Sequence, residues 1–553
     1  MAEVKNILYI MYDQLRFDYL SCAGHPHLKT PNFDRVAAMG VRFTRAYVQS
    51  PICGSSRMSA YTGRYCHSHG AQWNGYPLRV GEPTMGDHLR AIGMGCHLIG
   101  KTHMRADKAG MTRLGLEPTS LIGVRTAECG FDPYVRDDGL WAQGPEGYYD
   151  EKRSPYNAYL RAKGYKAGNP WHDYANSGLT NDDEMASGFL IKYADRPANI
   201  AEEDSETPWL TSRAIDFIEE QSGEEPWLAH LSYIKPHWPY VVPAPYHAMY
   251  GPNHVPAPVR NDQEWENPHP VMGRMMQSPI GRAFHKKEVR DLVIPAYMGL
   301  IKQCDDQLGR LLDYLEKSGR MQNTMIVLTS DHGDYLGDHW LGEKNLFHDC
   351  SVKVPLIVYD PSAAADGTRG TTDARLVELI DLVATFIEAA GGTVPDHIVE
   401  GRSLMPLIHG QDAPWREFAI SEYDYGPTPV AGALGVAPKD ARLMMVATDR
   451  WKFVHDEGSD RRQLFDMETD PDELNDLSHD PDHTGVLAQM YDHLNTWARR
   501  MSQRITLSED QVRAMAGKSA RRGVLLGMYD GSEYPEDLQY AYQPRSIEDR
   551  RDP

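Results

Sequence analysis

Residues 6–14 read Asn6-Ile7-Leu8-Tyr9-Ile10-Met11-Tyr12-Asp13-Gln14, an apolar run stopped by a carboxylate and an amide. The run Ile7 to Tyr12 is too short for the core of a signal peptide and reads as a first strand. Similar runs recur at Cys96 to Gly100, Trp227 to Ile234, Thr324 to Ser330 and Pro355 to Tyr359, separated by helical or loop-rich stretches, a pattern that predicts an α/β fold. Pro31 to Met39 reads as a helix with proline in its first turn. Ile294 to Leu315 repeats apolar residues at helical spacing with Gly309 inside, and both helices would cover the sheet.

The run ending at Ser330 is also followed by a polar pair, Asp331-His332. In an open α/β sheet both pairs emerge at carboxyl ends of strands, where ligands bind, so two pairs distant in the chain would converge. A carboxylate from each side with an imidazole and an amide oxygen suits a divalent cation. The histidine admits Mn²⁺ or Zn²⁺ beside the harder Ca²⁺ and Mg²⁺. Taken singly, either Asp could equally cap a following helix.

At 553 residues the chain exceeds the roughly 250 to 300 at which one core stops growing, so one large domain with a smaller satellite is expected. No apolar run nears the roughly 20 residues of a bilayer span, which argues against a membrane protein. Seven cysteines, scattered from Cys22 to Cys350 without paired spacing, form no disulfide framework and point to a reducing compartment, the cytoplasm. A formal net charge of -21 disfavours nucleic acid as a partner. A small anionic substrate would need a local cluster of Arg, Lys, His and metal to reverse that field.

Between Arg105 and Glu206 the chain is rich in Gly, Tyr, Asp, Asn and Pro, which predicts long loops around a pocket mouth. After about Ile408 come short strands, Glu417 to Tyr423, Leu443 to Thr448 and Trp451 to His455, then a helical pattern from Val486 to Met501. From Thr506 a polar, charged tail carries a weak helical pattern at Ala514 to Leu526. The expected division is an α/β domain at 1–410, an antiparallel sheet plus helix at 411–503, and an extension at 504–553. The extension is a candidate arm for a homo-oligomer.

Around Cys53 the chain reads Pro51-Ile52-Cys53-Gly54-Ser55-Ser56-Arg57, with Ser59, Thr62, Gly63 and Arg64 beyond. A single cysteine is more often a buried structural residue than a reactive one, so its neighbours carry the argument. Cys-x-Ser-x-Arg followed by Thr-Gly-Arg resembles the signature of the sulfatases, in which the cysteine is oxidised to formylglycine by a separate maturation enzyme. The family's commoner form has Pro where this chain has Ser55. The resemblance covers most of residues 5 to 500, with the parts in the family's order. Residues 6–14 resemble the first metal strand, Thr30-Pro31-Asn32-Phe33-Asp34 the following helix start, and Gly100-Lys101-Thr102-His103 the Gly-Lys-x-His segment. Lys235-Pro236-His237-Trp238-Pro239 is similar to the Pro-His-x-Pro segment, and Ser330-Asp331-His332-Gly333-Asp334, Gly337-Asp338-His339 and Lys344 complete the set.

That resemblance implies an alkaline-phosphatase-like fold: a large mixed sheet sandwiched by helices, with a smaller C-terminal antiparallel sheet subdomain. It implies one divalent metal, Ca²⁺ or Mn²⁺ before Zn²⁺ or Mg²⁺, held by Asp13, Gln14, Asp331 and His332 with the modified Cys53 as a further ligand. Arg57, Lys101, His103, His237, Lys344 and Asn74 would surround the ester. A hydrated aldehyde has two geminal hydroxyls; one attacks sulfur, and loss of the other's proton expels sulfate by C–O cleavage, a route closed to Ser or Thr. Arg57 would orient the nucleophile, and Lys101 and Lys344 would neutralise the transferring oxygens. His237 would protonate the leaving oxygen, and His103 would be the base that breaks the covalent intermediate.

Three functions compete. The expected substrates are aryl or small alkyl sulfate monoesters. Asp13-Gln14, Asp331-His332 and the placement of Lys344 also resemble the phosphonate monoester hydrolase and phosphodiesterase branch of the same superfamily, whereas Lys101 and His103 stand where that branch has uncharged residues. A non-catalytic metal- or anion-binding protein is the third, should Cys53 stay a thiol. Cys66-His67-Ser68-His69 fits no zinc module and reads as structural, as do Asp338, His339 and His348. A tyrosine-phosphatase-like thiolate is disfavoured because Arg57 is only four positions away.

Overall fold

The computed structural model describes residues 4–139, 154–221, 225–502 and 506–515. Its centre is a mixed sheet. In chain order its strands are β1 (Asn6–Asp13), β2 (Val41–Tyr47), β3 (Gly95–Gly100) and β4 (Asp132–Arg136). After a small hairpin of β5 (Ser177–Leu179) and β6 (Met185–Ser187) follow β7 (Trp227–Pro236), β8 (Thr324–Ser330), β9 (Lys353–Tyr359), β10 (Thr371–Asp373) and β11 (Val377–Glu378). The order is β10-β2-β9-β8-β1-β7-β3-β4, with β11 also on β2. Strands β8, β1, β7, β3 and β4 run parallel, and β9 is antiparallel to both β8 and β2.

Strand β1 lies at the middle with every residue buried. Its side chains alternate: Ile7, Tyr9 and Met11 join one core, Leu8, Ile10 and Tyr12 the other. That is why the run is continuously apolar; a strand with helices on both faces has no polar side. The first core is covered by helices Cys53–Thr62 and Asp381–Ala389, the second by Pro31–Met39, Glu206–Glu220 and Lys287–Lys317.

Strands β12 (Ala419–Asp424), β13 (Arg442–Ala447), β14 (Trp451–Asp456) and β15 (Arg462–Asp466) form an antiparallel sheet. One face, with Tyr423, Leu443 and Met445, joins the first core of the large sheet. The other, with Ile420, Val446, Phe453 and Leu464, is closed by Leu487, Met490, Leu494 and Trp497 of the helix Thr484–Ala498. Among the described residues, 395–398, 501–502 and 506–515 fall in a second unit, in which Glu509–Met515 is helical. Most of the helix expected at Ala514 to Leu526 lies outside the described residues.

Several expectations need correction. The stretch from Arg105 to Glu206 is not purely loop: it holds β4, the β5–β6 hairpin and helices Lys108–Leu114, Leu121–Ala127 and Pro155–Lys163. Each of these helices is only seven to nine residues long and is started by a side-chain cap, from Asp107, Ser120 and Ser154, rather than announced by a long apolar period. The helix read from Ile294 begins at Lys287 and runs through Pro295. Strands β2 and β15 and the Cys53 helix had no expectation. All ten residues of that helix are buried, so no amphipathic stripe marks it.

Candidate active site

Strands β1 and β8 are parallel neighbours with Tyr12 beside Ser330, so their carboxyl ends deliver Asp13-Gln14 and Asp331-His332 to one place. Gln14 takes a left-handed backbone, φ 67°, held from three sides. Its N–H donates to Asp331 Oδ1 at 3.1 Å, the Tyr297 hydroxyl donates to its carbonyl at 2.6 Å, and the next N–H, of Leu15, donates to Ser330 Oγ at 2.9 Å. The side-chain amide of Gln14 donates to the Tyr240 hydroxyl at 3.0 Å and to Asp334. Its oxygen is thereby turned inward, 3.3 Å from Lys344 Nζ.

Cys53 opens the buried helix Cys53–Thr62. Asn74 Oδ1 accepts the N–H of Gly54 at 2.8 Å, pinning the helix start; a Cβ on Gly54 would sit 2.8 Å from that oxygen, so a larger residue there would push the Asn74 amide aside. The thiol lies 3.0 Å from His332 Nε2, 3.2 Å from Lys344 Nζ and 3.9 Å from Asp13 Oδ1. One ligand atom each from Asp13, Cys53, Asp331 and His332 falls within 4.8 Å of all the others, and all four residues are buried. His332 Nδ1 donates to the Gly333 carbonyl at 2.8 Å, which leaves Nε2 with its lone pair facing the cluster. Two carboxylates, an imidazole lone pair and an inward amide oxygen are a donor set that fits a divalent cation.

The carboxylates are held by fixed cations. Arg57, one helical turn beyond Cys53, donates from Nε to Asp331 at 2.7 Å, from one terminal nitrogen to Asp13 at 3.2 Å, and from the other to Ser232 Oγ at 2.7 Å and the Lys101 carbonyl at 3.1 Å. Lys101, at the end of β3, places Nζ 2.5 Å from Asp13. Burial opposes ionisation of Asp13, but the Lys101 ammonium and the Arg57 guanidinium beside it hold its carboxyl well below the usual range. Lys344 Nζ reaches His237 Nε2 at 3.2 Å, and His237 Nδ1 donates to the Trp238 carbonyl at 2.7 Å. Burial, with Lys344 and Lys101 alongside, pushes His237 well down, so the ring is neutral in the free protein. Three permanent cations against two carboxylates make this site locally positive in a protein of charge -21.

Asp13, Gln14, Cys53, Arg57, Lys101, His237, Asp331, His332 and Lys344 are thus brought together, with Asn74 behind the helix start. His103 joins the cluster by no side-chain hydrogen bond among the described residues. Its N–H and that of Thr102 donate to Asp138, its φ is 56°, and its Nδ1 is buried with no hydrogen-bond partner among the described residues. Sequence reasoning passed over Ser232, Tyr240 and Asp334, which aim Arg57 and Gln14; Asp334 lies inside the quoted Ser330–Asp334 segment and Tyr240 just after Pro239. Cys66-His67-Ser68-His69 forms a short helix with His69 against Ser59 Oγ at 2.9 Å. Asp338 pairs with Arg16, His339 with Glu264 and His348 with Tyr335.

A family model described as Sulfatase matches residues 5–392, and one described as N-sulphoglucosamine sulphohydrolase, C-terminal, matches residues 337–500. The multifunctional alkaline phosphatase superfamily protein PehA of Trinickia caryophylli is 31% identical over 493 residues, covering 84% of this chain and 90% of its own. An arylsulfatase of Clostridium perfringens is 29% identical over 471 residues, 84% and 88% of the two chains. Among solved structures, the phosphonate monoester hydrolase SpPMH from Silicibacter pomeroyi superposes with a TM-score of 0.79 at 27% identity, covering 91% of this chain and 97% of its own.

Proposed function

The chain belongs to the sulfatase family of the alkaline phosphatase superfamily, and from that premise we propose that it hydrolyses sulfate monoesters with aryl or small alkyl leaving groups, through a formylglycine made from Cys53. The observation that carries this is the buried convergence of Asp13, Cys53, Asp331 and His332 beneath Lys101, His237 and Lys344. Asp13, Gln14, Asp331 and His332 would hold one divalent cation, Ca²⁺ or Mn²⁺ before Zn²⁺ or Mg²⁺. When bound, that cation supplies a Lewis acid beside residue 53, which makes a hydroxyl there a nucleophile at neutral pH.

The chain's own residues divide the remaining work. Arg57 fixes both carboxylates and the start of the Cys53 helix, so residue 53 faces the ester in one orientation. Lys101 and Lys344 balance the charge on the sulfuryl oxygens. An anionic ester between them favours the charged form of His237, whose Nε2 then donates its proton to the leaving oxygen. His103, whose ring Nδ1 has no hydrogen-bond partner among the described residues, is the candidate base for release of sulfate.

The likeness to a phosphonate monoester hydrolase structure, and to a relative named as multifunctional, supports a second activity on phosphonate monoesters, with phosphodiesters as part of the same alternative. In-line attack and stabilised equatorial oxygens serve sulfuryl and phosphoryl transfer alike. Two measurements test the proposal. Mass analysis of the tryptic peptide Ala46 to Arg57 should show an aldehyde; an intact thiol in the native host would leave a metal- or anion-binding protein. Side-by-side kinetics should then favour a sulfate monoester, and a higher kcat/KM on phosphonate monoesters would reverse the ranking. A maturation enzyme and a homo-oligomer built through 504–553 belong to the same proposal. So does a cytoplasmic location, which the absence of any helix among the described residues long and apolar enough to cross a membrane leaves open. A truncation after Met501 that leaves assembly state and activity unchanged would remove the oligomer arm.

A further inference from the structure

An aromatic strip leads away from His237. The ring of Trp238 lies 4.5 Å from that of His237, tilted by 39°. Phe189, just beyond β6, meets Trp238 edge-on at 6.0 Å and 64°, and stacks on His172 at 5.2 Å and 19°. Phe189 is 47% exposed, although it contacts three rings, Trp171 being the third at 6.4 Å. The indole N–H of Trp238 is buried and has no hydrogen-bond partner among the described residues. An apolar ring left half in water at the end of a packed row, beside a donor without a partner among the described residues, has room to receive a further ring.

The strip is built to stay in place. Lys235 Nζ donates to the Pro239 carbonyl at 3.0 Å and to Asn176 Oδ1 at 2.7 Å, and the Gly188 N–H donates to the Asn176 carbonyl. One buried lysine therefore ties the loop carrying His237 and Trp238 to the hairpin carrying Phe189.

We infer that Trp238 and Phe189 bind the alcohol part of the ester, and that this alcohol is a planar aromatic one. The inference rests on the hydrolase reading above and deepens it by naming the leaving group. His237 is the residue proposed to protonate the leaving oxygen, so the body of the leaving group must lie beside its ring, where the strip begins. A flat ring can lie along Trp238 and meet Phe189 in the offset or edge-on geometries that aromatic pairs prefer. A branched or flexible alkyl chain gains only area there.

The test pairs an aryl sulfate with a fluorinated alkyl sulfate of matched leaving-group acidity. Phe189→Ala should lower kcat/KM for the aryl ester about tenfold, through KM, and that for the alkyl ester less than about twofold. Phe189→Tyr should restore the aryl preference, which separates loss of a ring from disturbance of the hairpin. Equal losses on both esters, or no aryl preference in the unaltered enzyme, would overturn the inference. Calorimetric titration of Cys53→Ala protein with 2-naphthol needs no chemistry: binding that weakens with Phe189→Ala supports the strip, and absent or unchanged binding sinks it. A protein inert to every sulfate and phosphonate ester yet binding 2-naphthol through Phe189 would refute the hydrolase proposal while leaving the aromatic site.

Discussion

Replacing Arg57 with methionine should weaken the fold and tighten the cation site at once. The guanidinium and both its carboxylate partners are fully buried, and Arg57 Nε is the donor to Asp331 Oδ2. Asp13 would keep Lys101 at 2.5 Å, but Asp331 Oδ2 would lose its charged partner. Removing one side of a buried pair costs about 3 to 5 kcal/mol because the other charge is stranded. Urea unfolding of chelated protein should show that loss. With the guanidinium gone, the same carboxylates repay an incoming cation more strongly. A unit charge about 4 Å away is worth on the order of 4 kcal/mol at an effective dielectric near 20, which is nearly three powers of ten, so the divalent affinity should rise by about two to three orders of magnitude. Catalysis should fall nonetheless, since residue 53 loses its orientation. A stability change under about 1 kcal/mol in chelated protein, with unaltered cation affinity, would refute this account of Arg57.

Lys344→Met should cut kcat about 100- to 1000-fold, the usual cost of one preorganised donor, with the circular dichroism spectrum retained; a loss below about tenfold would remove it from the transition state. His237→Ala should cost far more with poor leaving groups than with activated aryl esters, and equal losses across a leaving-group series would reject its role as the acid. Acid should destabilise the protein through His69 and His230, which burial pushes down to about 3. Both are neutral when folded, so their contribution is complete above the unfolded value near 6.5 and is lost as pH falls from there toward 3. Each adds a slope of at most about 1.4 kcal/mol per pH unit, and His69→Gln should flatten the urea midpoint against pH across that window.

How much was legible beforehand depended on what each residue does physically. Strand β1 announced itself because burial on both faces keeps Ile7 to Tyr12 largely apolar until Asp13, and β8 did the same over Met325 to Leu328, ahead of Thr329, Ser330 and Asp331. The Cys53 helix stayed hidden for the opposite reason: enclosed on all sides, it has no stripe, and its residues were noticed for their chemistry alone. Ser232 and Tyr240 were invisible because their work is to aim Arg57 and Gln14, a task set by three-dimensional neighbours rather than by local pattern. His103 shows the converse. A motif marked it, yet its ring Nδ1 finds no hydrogen-bond partner among the described residues.

The mid-sheet position of β1 has a dynamic corollary. Amides paired on both edges and shielded on both faces open only when the whole domain does, so Ile7 to Tyr12 should rank among the slowest protons to exchange with deuterium. Asp13 and Gln14 ride on the end of that clamp. Warming should therefore loosen the surrounding loops well before it disturbs Asp13 and Gln14, and protein loaded with a divalent cation should still hold that cation after heat has abolished its activity.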